Sequence, residues 1–292
     1  MTIIQSILVA IIQGLTEFLP VSSSAHIVIM TSIYKLFTNK EISMTSQEEI
    51  FFAIIIHLGT LISILTYFKK DILSIIKGLI EGIRTKNFNT PEALYGIYII
   101  VGTLITVLIA FPLKDIVENL MSAPYIVGIF LVFTGIILLL SEYKSSQIME
   151  ERKDDIEKGS NKNSLTIRKA SLIGLAQGLA IFPGFSRSGL TIACGLFSGL
   201  DKIKAAKFSF LLSVPIILGS SIFYPIFEVD FHLIKTFNWV AIIIGFIVSI
   251  IVGYLCIKYF LKFLSRFSLR IFAYYCFIVG ILTFYAFAFF VK

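Results

Sequence analysis

Residues 170–200 are apolar almost throughout, yet they begin after one group of basic residues and end before another. Arg152, Lys153, Lys158, Lys162, Arg168 and Lys169 come before them, and Lys202, Lys204 and Lys207 follow. Basic loops stay on the cytoplasmic side of a membrane. Both ends of the segment therefore read as lying on one side, and the segment cannot cross. It must enter and return, with the helix-breaking Pro183-Gly184 at the turn. Backbone that turns at membrane depth is tolerated only where protein or a water-filled cavity satisfies it.

Composition supports a membrane setting. The chain is 57% hydrophobic and 15% charged, against about 25% charged for a soluble domain. Six apolar runs are long enough to span: roughly 50–68, 93–111, 121–141, 207–226, 238–257 and 268–290. Lys69, Lys70, Lys77, Arg84 and Lys86 mark the loop after the first span as cytoplasmic, and Lys258, Lys262, Arg266 and Arg270 do the same near the C-terminus. Residues 112–120, and the stretch holding Glu228 and Asp230, read as outside. The net charge of +7 is that of topology-setting loops and not of a nucleic-acid site. Cys194, Cys256 and Cys276 show neither a disulfide nor a zinc spacing. Residues 1–25 lack the basic start and cleavage pattern of a removed signal peptide.

The first full span begins outside, so residues 1–37 form a second re-entrant hairpin with its turn near Pro20. The expected fold is an all-α polytopic membrane protein of two inverted-topology repeats. Each repeat is one re-entrant helical hairpin plus three transmembrane helices. Residues 1–141 form the first, 142–169 a cytoplasmic linker, and 170–292 the second, with its hairpin at 170–200. Gln177–Ser188 aligns without gaps to Gln13–Ser24, with Gln, Gly, Leu, Phe and two serines identical. Ser23 falls opposite Arg187, and Glu17 opposite Ile181. The hairpins enter from opposite faces, and such repeats commonly place a site where the broken helices meet.

The chemistry-bearing residues gather at the two turns. Gln13 and Glu17 share one helix face, and an intramembrane carboxylate needs a cation, a metal or water. The structural alternative ties it to backbone N–H groups. Ser22, Ser23 and Ser24 exceed what helix capping requires. His26, three residues past Ser23, suits proton transfer or ligand binding, whereas His57 reads as structural. Ser186, Arg187 and Ser188 open a helix whose N-terminus is suited to phosphate, with Thr191 one turn on. Arg187 adds a bidentate fork, or else it serves only as a structural bridge to Glu17.

These motifs, Gln13-x-x-x-Glu17-Phe18-Leu19-Pro20-Val21-Ser22-Ser23-Ser24-x-His26 and Pro183-Gly184-Phe185-Ser186-Arg187-Ser188-Gly189-x-Thr191, resemble the two signatures of the undecaprenyl-diphosphate phosphatase family of bacitracin-resistance membrane proteins. The likeness extends through Phe208–Pro215. It implies hydrolysis of undecaprenyl diphosphate to undecaprenyl phosphate and phosphate, recycling the lipid carrier of peptidoglycan synthesis. It also implies a divalent cation and a site reached from the outer side of the bacterial cytoplasmic membrane. By the same resemblance Glu17, Ser23, His26 and Arg187 are the catalytic residues, with Ser23 the nucleophile. Gln13, Ser22, Ser24, Ser186, Ser188 and Thr191 bind substrate. Glu17 and Gln13 are the candidate ligands for Mg²⁺ or Ca²⁺, although an amide at position 13 puts a two-carboxylate site in question. Attack by Ser23 and attack by a metal-bound water both stay open. A lipid-phosphate carrier is the alternative from another class, since inverted repeats are a common carrier architecture. Gly78, Gly82, Gly128 and Gly135 offer small-residue faces for a homodimer.

Overall fold

The computed structural model describes residues 1–38, 47–121, 124–156, 163–228 and 233–290. Its elements are helices in the order α1 (Ile3–Thr16), α2 (Ser23–Thr38), α3 (Gln47–Tyr67), α4 (Lys69–Thr85), α5 (Pro91–Met121), α6 (Pro124–Ile156), α7 (Ile167–Leu179), α8 (Arg187–Phe197), α9 (Lys202–Glu228), α10 (Trp239–Leu264) and α11 (Arg270–Tyr285). Among the described residues, α3, α5, α6, α9, α10 and α11 are long and apolar enough to cross a membrane. They match the six runs read from the sequence. The hairpin helices are shorter. At 1.5 Å per residue, the 11 residues of α8 reach only about 17 Å and the 13 of α7 about 20 Å, against a hydrocarbon core of about 30 Å.

The first helix of each hairpin packs on a span from the other half of the chain: α1 on α10, and α7 on α5. Ser6 Oγ donates to the Ala241 carbonyl at 2.5 Å, and Thr106 Oγ1 donates to the Gly174 carbonyl at 2.9 Å. Gly174 is required for the second contact, because a Cβ there would collide with the Gly102 backbone. Two spans of matching place, α6 and α11, pack on each other.

Aromatic rings fix the hairpin turns. Phe18 is fully buried and meets Phe210 of α9 edge-on at 5.4 Å, while Phe210 also touches Phe68 and Phe260. Phe182 and Phe185 of the other turn pack on Phe130 of α6, at 5.4 and 4.6 Å. In a bilayer such rings gain by close packing and not by leaving water, and they pin each turn to the span beside it.

Three expectations need correction. The basic stretch after the first span is not a loop but the helix α4. It packs Gly78 against Glu92 and Ala93 at the start of α5, and it exposes Leu73, Ile76, Ile80 and Ile83 beside Lys77 and Arg84. That alternation is the pattern of an interfacial amphipathic helix. Helix α5 continues through Pro112 to Met121, across residues read as an outside loop. Helix α6 runs on to Ile156, so the first part of the 142–169 linker is helical. Within it, buried Glu142 pairs with Lys202 at 2.5 Å and accepts from the Leu269 N–H, joining α6 to α9 and α11. Of that linker, residues 157–162 lie outside the described residues.

The glycines that suggested a dimer face are used within the chain. Gly78 meets α5, Gly82 meets Phe88, Gly128 meets Gly280, and Gly135 meets Ala273.

Candidate active site at the hairpin turns

The two turns meet, and Glu17 and Arg187 are in contact there. Glu17 ends the first hairpin's descending helix as the C-cap of α1. The chain then turns through Pro20, and Ser22 adopts φ +68°. A left-handed conformation costs a non-glycine residue roughly 1–2 kcal/mol. It starts α2 with the Ser22 hydroxyl accepting from the Ala25 N–H at 3.3 Å. In the second turn Gly184 takes φ +102°, and a Cβ there would collide with the Val127 backbone, so only glycine can fill the position. Ser186 caps α8 by accepting from the Gly189 N–H at 3.1 Å, and its own N–H donates to Thr134 Oγ1 at 3.2 Å. Arg187 is thus the first residue of α8, at the positive end of its dipole.

Between the turns lies a cavity of about 180 Å³ lined by Glu17, Ser23, Ser24, His57, Ser186 and Arg187. That is room for a phosphate group and a few waters, at about 30 Å³ per water. Arg187 Nη2 donates to Glu17 Oε1. Ser23 Oγ donates to Glu17 Oε2 at 3.0 Å, and Gln13 Nε2 donates to the same oxygen at 2.8 Å. The Glu17 side chain is 7% exposed, so this pairing is what allows a carboxylate at that depth. The Nη1 nitrogen of Arg187 is buried with no hydrogen-bond partner. A buried guanidinium donor left open is costly, and an anionic oxygen satisfies it best.

Not every residue singled out from the sequence faces the cavity. Gln13 stands one helical turn behind it, on Glu17. Ser22 Oγ lies 3.2 Å from Ser24 Oγ. Ser188 Oγ donates to the Leu19 carbonyl at 2.9 Å, tying the two turns together. Thr191 bonds to the Arg187 carbonyl and to Ser209 of α9, at 2.7 and 2.6 Å. His26 turns away: its Nε2 is 2.6 Å from the Tyr275 hydroxyl and its ring stacks on Tyr275. The residue missed is His57, read as structural. Its Nε2 lies 3.9 Å from Glu17 Oε2. An ionisable side chain inside a span is itself the signal that points to it.

The fit of a resident divalent cation depends on oxygens left free. Glu17 is the carboxylate lining the cavity, and both its oxygens are engaged. The Gln13 carbonyl oxygen has no partner but is buried. Among the described residues no three His, Cys, Asp or Glu side chains cluster as metal ligands. The set does not fit an all-protein cage for Mg²⁺ or Ca²⁺, which take six or more oxygens. A cation here would need most of its ligands from a bound anion and water.

Comparison with known proteins gives the chain its relatives. An undecaprenyl-diphosphatase of Methanobrevibacter smithii is 40% identical over 293 residues, covering 97% of each chain. One of Methanosphaera stadtmanae is 38% identical, covering 96% of each. Undecaprenyl-diphosphatase 2 of Halalkalibacterium halodurans is 36% identical, covering 98% of this chain and 97% of its own. The family model described as bacitracin resistance protein BacA matches residues 6–282. With two charged hairpin turns meeting among six apolar spans, and that match over nearly its whole length, this chain belongs to the BacA bacitracin resistance protein family.

Proposed function

We propose that this protein is an integral membrane phosphatase that hydrolyses undecaprenyl diphosphate to undecaprenyl phosphate and inorganic phosphate. In the cytoplasmic membrane that step would recycle the carrier lipid for peptidoglycan synthesis and confer resistance to bacitracin. The observation that carries the reading is the unpaired Nη1 of Arg187, in a cavity wall shared with Ser23, whose hydroxyl is held by a buried carboxylate. A phosphate binder needs the first feature; only a reaction needs the second. The relatives are named as diphosphatases, and nothing favours the carrier alternative.

In this reading the terminal phosphate sits in the cavity. Arg187 and the free N–H groups at the start of α8 hold its oxygens and stabilise charge in the transition state. Glu17 orients Ser23, whose Oγ attacks the terminal phosphorus, and Gln13 steadies Glu17. Ser24 and Ser186 contribute hydroxyls at the rim. Ser22, Ser188, Thr191 and His26 keep the turns in shape. An apolar groove of about 550 Å³ beside Leu15 and Leu19, walled by Leu255, Phe263 and Phe272, suits the first isoprene units of the chain. Mg²⁺ or Ca²⁺ would enter as the salt of the diphosphate, as part of the substrate. Access from the outer side of the membrane is what the family resemblance implies.

The test is phosphate release by purified protein in detergent from a prenyl diphosphate, with and without chelator, for wild type and Glu17→Ala. Release that is lost in the variant supports the reading. No release, with headgroup translocation in vesicles, would replace it with a carrier.

A further inference from the structure

Two histidines lie near the first turn, and each sends Nδ1 to the carbonyl four residues earlier. His26 Nδ1 is 2.7 Å from the Ser22 oxygen, and His57 Nδ1 is 2.7 Å from the Ala53 oxygen. A carbonyl can only accept, so in both rings Nδ1 carries the hydrogen and the neutral ring keeps its lone pair on Nε2. What Nε2 meets then separates them. In His26 it accepts from the Tyr275 hydroxyl at 2.6 Å, so its lone pair is taken. In His57, which lines the cavity with its side chain 37% exposed, it lies 3.9 Å from the Glu17 oxygen that receives Ser23.

The carboxylate that accepts the Ser23 hydroxyl is already neutralised by a guanidinium, so it aligns that proton without keeping it. Glu17 Oε1 is held by Arg187, and Glu17 Oε2 accepts from Ser23 and Gln13. Position 13 is an amide, so it supplies no second carboxylate. We infer that His57, on the first transmembrane span, is the proton carrier of this site. The inference rests on the proposed hydrolysis. As the Ser23 Oγ–phosphorus bond forms, the hydroxyl proton passes by way of Glu17 Oε2, which accepts it, to His57 Nε2. As the bond from phosphorus to the bridging oxygen breaks, that oxygen leaves with the electron pair and takes the proton from the imidazolium, giving prenyl monophosphate. A water then attacks the phosphoserine and loses its proton to Nε2. Ser23 Oγ departs with the electron pair and recovers that proton, releasing inorganic phosphate.

The experiment measures phosphate release from a short-chain prenyl diphosphate by the full-length protein in detergent. His57→Ala is expected to lower kcat on the order of 10²–10⁴-fold, the range for loss of a general base, with KM within about threefold. Added imidazole should restore part of that rate. His57→Gln keeps an N–H for Ala53 without a proton acceptor of comparable strength, and should stay slow. His26→Ala should gain nothing from imidazole. Either His57 variant turning over within about threefold of wild type, a loss confined to KM, or a loss in His57→Ala that imidazole leaves untouched would overturn the role of His57. A wild-type protein that releases no phosphate overturns the hydrolase reading, and the His57 role with it.

Discussion

Ser23 Oγ lies 3.0 Å from Glu17 Oε2, while Arg187 holds the other oxygen of the same carboxylate. The candidate nucleophile and the candidate phosphate-binding cation are thus aligned through a single side chain. Removing the hydroxyl should abolish chemistry without loosening the turn, since Ser22 and not Ser23 makes the helix cap. Ser23→Ala is expected to lose at least about 10²-fold in kcat while unfolding at the wild-type temperature. Near-normal turnover in a phosphate-release assay would move the attack to water.

Arg187→Lys keeps the charge and loses the fork. One ammonium cannot satisfy Glu17 and also present a second fixed donor to phosphate. A fall in kcat of about 10²-fold is expected, with substrate binding weakened less. Arg187→Ala does more, because it strands a buried carboxylate. It should cost about 3–5 kcal/mol of stability, visible as a lowered thermal unfolding midpoint in detergent.

Gln13→Glu would set a second carboxylate against Glu17, one helical turn away, with Arg187 alone to balance them. Like charges at that distance cannot both stay ionised without a further cation. The variant should therefore depend more steeply on divalent cations than wild type does, as read by phosphate release across a chelator titration. An unchanged dependence would mean that the amide plays no part in setting local charge.

Glu142→Ala tests a different place. It leaves Lys202 without its carboxylate where α6, α9 and α11 converge, away from the residues that line the cavity. A loss of a few kcal/mol in stability is expected, with turnover per folded molecule close to wild type. Loss of turnover at full stability would instead tie this contact to the chemistry.

Hydropathy made the six spans legible, because a run of about 20 apolar residues has few other uses. Loop charge, together with Pro183-Gly184, pointed to a turn within 170–200, and the chain there is two short helices, α7 and α8. The same reliance on charge hid α4. Its lysines serve as topology signals, and they mask the helical spacing of Leu73, Ile76, Ile80 and Ile83. At the site, Glu17, Ser23 and Arg187 announced themselves as polar groups in apolar sequence. The choice between His26 and His57 did not. Both rings make the same local bond to the carbonyl four residues earlier. Their difference lies in Tyr275, 249 residues from His26, and in the approach of α3 to Glu17. Proximity in sequence favoured His26; only the packing of distant helices decides which lone pair is free.

The exchange of packing partners bears on how the protein comes into being. Helix α1 is synthesised first, yet the span it lies on, α10, begins at Trp239. Until the ribosome has delivered that span, the Glu17 turn lacks its wall, and until α8 is made it lacks Arg187. A chain stalled or truncated early would leave a carboxylate in the bilayer with no cation to meet it. The first residues synthesised are thus among the last to meet their packing partners, and a partial product without α8 and α10 has no complete site.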